Sequence, residues 1–203
     1  MLAQPEPPAS PAPLDEIPSA SPESVARLLL KIRRRYGDDA VVMQTHLLLN
    51  AMRNGSLLAS GVRVHEVTEH AGKRYLGFHV ETGMIFDDHT RDLPARIHVL
   101  WLSILEPTLM RLKQLEVPAD GVHFAMQYHH RPYRTVEELR REIEQPGVAE
   151  EASFYLLAAD VREMIAHRVT PRALLERARI TVDGADRTIP QPGASPPVHP
   201  GPL

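Results

Sequence analysis

The sequence predicts a single α+β domain, in which a small antiparallel sheet of three or four strands packs against a long kinked helix, with an N-terminal helix pair, a C-terminal helical region and disordered Pro-rich tails. Three observations carry this expectation. Apolar residues recur at helical spacing in the stretches before residue 53 and after residue 92. They alternate with polar ones near residues 62–82 and 122–129. Thirteen of the 19 prolines lie in the two ends, which sets the boundaries at a tail over 1–20, a domain over 21–184 and a tail over 185–203. The ends have too few apolar groups to offset the entropy lost on ordering.

The helix on which the domain is organised runs from Asp92 to Leu115 and holds the single tryptophan. Ile97, Leu100, Trp101, Ile104, Thr108, Leu112 and Leu115 form one stripe, which leaves Arg96, Ser103, Arg111 and Gln114 for the solvated side. Asp92 can cap the first turn, where Pro94 lacks an N–H that the helix does not need. Pro107 removes a donor and crowds the carbonyl one turn back, so a kink or break is expected between Ser103 and Glu106.

The other elements follow in order. Ser21-Pro22 opens a helix with Val25, Leu28, Leu29, Ile32 and Tyr36 on one face, and Gly37 ends it. Asp38 and Asp39 are placed to cap a second helix carrying Val42, Leu48, Leu49 and Met52, stopped by Asn54-Gly55. Val62 to Glu69 and Arg74 to Thr82 read as strands. A three-residue loop, His70-Ala71-Gly72, pairs Val62 with Val80 and Val64 with Phe78, matching apolar to apolar, whereas a two-residue loop sets Val64 against His79. Gly83 to Arg91 reads as a loop. In a third strand, Val122, Phe124, Met126 and Tyr128 alternate with His123, Ala125, Gln127 and His129. Thr135-Val136-Glu137-Glu138 is a capping box that opens the helical region, interrupted at Pro146-Gly147. Phe154, Leu157, Val161, Met164 and Ile165 suit a helix between Glu150 and Arg168, although Phe154 to Ala158 alone also fits a strand. Thr170-Pro171 starts a last helix, and Ile180 to Val182 is a short edge strand before Asp183-Gly184.

A net charge of −3 and a pI near 6.4 argue against a general nucleic-acid binder, which needs an excess of positive charge. Arg33-Arg34-Arg35 reads as a solvated helix face. Without cysteine there is no disulfide, thiolate chemistry or cysteine-ligated metal. No run reaches the roughly 20 apolar residues of a transmembrane helix. Met1-Leu2-Ala3-Gln4, running at once into a Pro-rich stretch, resembles what is left when a signal peptide is replaced by a start Met, which places the protein in the periplasm or otherwise outside the cytoplasm; a cytoplasmic protein is the alternative.

Chemistry-bearing residues gather on the strands. Under the register above, His65, His79, His123 and His129 project from one sheet face, with Glu69, Glu81 and Gln127 on the same side, a donor set suited to a divalent metal. His130, Arg131 and Arg134 leave a strand for a helix N-terminus and suit an anion. Asp87-Asp88-His89 with Asp92 reads as a turn before a helix. No GxSxG, P-loop, GxGxxG or kinase-like set occurs. The function expected from this pattern is a non-enzymatic protein-interaction or assembly module of a bacterial envelope or larger complex, with another protein as partner and no cofactor. The alternative is a metal-dependent enzyme, or a sensor of an anion or small molecule, that uses the histidine-bearing face.

Overall fold

The computed structural model describes residues 22–53, 62–131 and 147–187. Most of both Pro-rich ends, the Thr135 capping box and Arg134 lie outside the described residues. Helices α1 (Pro22–Tyr36) and α2 (Asp38–Arg53) meet across Gly37, whose φ of +91° glycine adopts without strain. The Gly37 N–H donates to the Arg33 carbonyl at 3.0 Å and closes α1. Ile32 and Tyr36 are buried as their spacing predicts. On α2 the buried face is Met43, Leu47 and Asn50, rotated from the expected stripe, so that Leu49 is exposed. Asp39, expected as a cap, lies inside α2, and its Oδ2 accepts the Glu116 N–H at 2.7 Å.

The sheet corrects the expected fold class. Instead of three or four antiparallel strands there are six, β1 (Val62–His70), β2 (Lys73–Asp87), β3 (Gly121–Arg131), β4 (Val148–Leu157), β5 (Arg179–Val182) and β6 (Ala185–Arg187), paired in chain order and curled into a half-barrel. β2 and β3 run parallel and all other neighbours antiparallel. Two misreadings hid this size. The stretch from Glu150 begins as a ten-residue strand, and the helix starts only at Ala158. β2 also runs on through Gly83 to Asp87, past a register shift between Glu81 and Ile85, where a loop was expected. The sheet continues past Gly184 into β6, so β5 is not its edge.

The expected hairpin pairing is present, but a different device produces it. The turn has two residues, Ala71 and Gly72, both at positive φ, and it pairs His70 with Lys73 and Thr68 with Tyr75. A bulge between Val64 and Val67 then shifts the ladder by one, so that Val64 meets Phe78 and Val62 meets Val80. The apolar match beyond the bulge sets the register there. Between bulge and turn, however, the shift exchanges the faces: Glu69 leaves the side of His79, and His70 joins it.

The parallel pairing requires a crossover, which α3 (Leu93–Leu100), a π-helical turn (Trp101–Leu105) and α4 (Glu106–Leu109) supply. Asp92 caps α3, its Oδ1 accepting the Ala95 N–H at 2.9 Å. The expected break is the π turn, where the Glu106 N–H reaches back to the Trp101 carbonyl. Pro107 has no N–H to offer, and the Ile104 carbonyl is satisfied by the Thr108 hydroxyl at 2.7 Å and the Asn50 amide at 3.3 Å. The crossover is thus a short, interrupted segment, not one long helix.

Its whole expected stripe is buried against the sheet. Trp101 lies 6.3 Å from Phe154 between ring centres, and Phe78 stacks on Phe124. Helices α5 (Ala158–Ile165) and α6 (Pro171–Arg177) add Val161, Met164, Leu174 and Leu175 to the same core. Ile104→Ala should lower unfolding free energy by about 2–5 kcal/mol through lost transfer energy and a residual cavity. Equilibrium denaturation measures this, and a near-neutral result would contradict the packing of the crossover.

Candidate functional site: a polar trough in the half-barrel

Alternation puts Leu76, Phe78, Val80, Val122, Phe124, Met126, Ala152, Phe154 and Leu156 on the helix-covered face. The opposite face holds Tyr75, His79, Glu81, His123, Gln127, Glu151, Ser153, Tyr155, Arg179 and Thr181. This second face is concave. His70 at the end of β1 stacks on Tyr155 of β4, with ring centres 4.0 Å apart and planes 15° from parallel. In a flat sheet these strands would be separated by three steps, roughly 14 Å. His123 also stacks on Tyr155, at 4.3 Å and 6°, and Tyr75 meets the same ring edge-on at 5.3 Å. The curl reaches the edge strands. Asp186 of β6 is held below the usual carboxylate range by its hydrogen bond from Arg179, and His70 of β1 acts on it in the same direction.

One end of the trough is therefore aromatic. Burial raises the Tyr155 and Tyr75 phenols above their ordinary value, with Glu151 adding to the effect at Tyr155 and Asp120 at Tyr75. Both are neutral hydrogen-bonding groups at physiological pH. The Nε2 atom of His70 is buried with no hydrogen-bond partner among the described residues. Further along, the side chains shrink and the rim becomes polar. Ala125 and Ser153 are neighbours on the floor. The His79 imidazole lies 3.9 Å from Glu81 on one side and 3.9 Å from Glu151 on the other, and the Ser153 hydroxyl donates to Glu151 at 3.3 Å.

A second polar cluster lies under the helices. Arg96, expected in solvent, is buried, with its side chain 8% exposed. Its guanidinium joins Asp88 and, at 3.2 Å, Glu150, while His130 Nδ1 donates to Asp88 at 2.7 Å and the Tyr128 hydroxyl donates to Glu150. This network binds the turn before α3 to β3 and β4. Burial, reinforced by Glu150, keeps the Tyr128 phenol protonated well above its usual range. It is a clamp whose groups answer one another.

The sequence-predicted residues are distributed between these regions. His79, His123 and His129 share the trough face, whereas the side chain of His65 lies outside the described residues. Among the described residues no group of three or more His, Asp or Glu side chains can hold a metal ion. His130 and Arg131 are successive in β3 and leave opposite faces, with His130 drawn to Asp88. Asp87 makes the expected turn, its Oδ1 accepting the His89 N–H at 2.9 Å. Sequence reasoning missed His70, because the bulge shifts its face, and Tyr155, because its strand read as a helix. The alternation of Glu151, Ser153 and Tyr155 with Ala152, Phe154 and Leu156 was the signal for that strand.

Two measurements follow from the titratable groups. Arg96→Met strands Asp88 and Glu150, and should cost on the order of 3 kcal/mol, the lower end for a broken buried pair because Asp88 keeps some water contact. Adding Glu150→Gln should recover part of this loss, and a double variant no more stable than the single one would refute the clamp. The raised phenols of Tyr75, Tyr128 and Tyr155 give the second. Their contribution to stability is complete below the ordinary value of 10.0 and is lost as pH climbs toward the folded-state values. Denaturation curves from about pH 9 to about pH 11 should show falling stability with tyrosinate absorbance appearing on unfolding. No family model, curated protein or solved structure matches the chain.

Proposed function

We propose that the protein is a non-catalytic binding module that seats a small polar organic molecule in the trough of its half-barrel. The observation that supports this reading is the stacking of His70 on Tyr155 across three strand steps, which turns a polar sheet face into a concavity. Concave sites with an apolar wall and a few convergent polar groups are the usual seats of small ligands, and the mouths of barrels are a common place for them. Here Tyr75 and Tyr155 form the wall, Ala125 and Ser153 leave room on the floor, and His79, Gln127, Glu81 and Glu151 supply hydrogen-bonding groups at the rim. A divalent metal fits less well, because His79 is flanked by two carboxylates at ion-pair distance and His123 is held against a tyrosine ring.

A screen of polar fragments by NMR tests the proposal. Binding fragments should shift the resonances of His79, His123 and Tyr155. They should lose affinity in Ala125→Leu, which fills the floor, and in Tyr155→Ala, which removes the wall, with thermal melting confirming that each variant folds. Fragments that map to the helical side, or that bind both variants like the parent protein, would overturn it.

A further inference from the structure

The outward face of α1 presents a different surface, and we infer that it docks an acidic segment of another protein. Leu30 is 51% exposed there, and Arg27, Lys31 and Arg34 stand around it one helical turn away in each direction. The other basic residues of the helix have local roles. Arg33 pairs with Asp38 at 2.5 Å, and the Arg35 guanidinium lies over the Tyr36 ring at 5.2 Å. Three cations about one exposed leucine, on a chain whose net charge is −3, form a local positive patch with an apolar centre. That is the anatomy of a protein-docking surface, an apolar anchor inside a charged rim that selects a partner of opposite sign.

The occupant follows from what α1 has already committed. An amphipathic helix that lies in a lipid surface needs a continuous apolar face to insert. In α1 that face is used internally, since Ile32 and Tyr36 are buried in the core and Leu28 packs against it. A nucleic acid would need cations tracking a phosphate backbone over a longer path than two helical turns. A short acidic peptide with one apolar residue for Leu30 satisfies both parts of the patch. This site is separate from the trough and stands or falls independently of it.

The test uses the full chain and a short fluorescein-labelled peptide of glutamates around a central leucine, read by fluorescence anisotropy at about 0.15 M salt. Arg27→Glu with Arg34→Glu should weaken binding on the order of tenfold or more, and Leu30→Ser should weaken it without altering the salt dependence. Arg172→Glu on α6, an equally exposed arginine, should leave binding unchanged. Thermal melting identifies any variant that fails to fold, and Arg34→Gln then replaces the double reversal. No binding by the parent protein would overturn the inference. So would equal loss in Arg172→Glu, or tighter binding to phosphatidylserine vesicles or to a single-stranded thymidine oligonucleotide than to the peptide.

Discussion

Parallel pairing of β2 with β3 is the constraint on which the rest of this structure depends. β2 ends where β3 ends, so the chain must return along one face of the sheet before β3 begins. The returning segment brings Trp101, Ile104 and Leu105 onto that face and makes it the core. The other face receives none of this covering, and the alternation of each strand sends its polar residues there. A core and a trough thus arise from the same crossover.

The geometry of the crossover is tuned at its two ends. At its start, Asp92 caps α3, while Arg96 one turn later gathers Asp88 and Glu150. At its end, the π turn before Pro107 absorbs the missing hydrogen bond, with Thr108 and Asn50 satisfying the Ile104 carbonyl between them. Asn50 belongs to α2, so this repair also fastens the N-terminal helix pair to the crossover. Close contacts hold the sheet where it bends. A Cβ on Gly121 would lie 2.2 Å from the Leu156 carbonyl, and one on Gly147 would lie 2.6 Å from that of His130. Glycine at these points lets β4 approach β3 along its full length.

Much of the local structure was legible because its causes are local. The Asp92 cap, the Gly37 stop, the break near Pro107 and the pairing of Val64 with Phe78 each depend on a few neighbouring residues. The candidate site was only half legible. Three of the four predicted histidines share a face, as alternation within a strand requires. His70 and Tyr155 were missed because a one-residue bulge and a strand running directly into a helix both leave weak periodic signals. Arg96 was assigned to solvent by its position on the helix wheel, which does not register a carboxylate brought from β4.

The sequence by itself determined the α+β class, the stripe that becomes the core, the helix ends and the strand alternation, because propensity, capping and hydrophobic period act over a few residues. Tertiary structure decided the strand count, the parallel pair, the curl and the company each polar side chain keeps. These depend on contacts between residues far apart in the chain: His70 reaches Tyr155 and Arg96 reaches Glu150 only after six strands have paired and bent. A trough is a property of that curvature, and no local pattern encodes it.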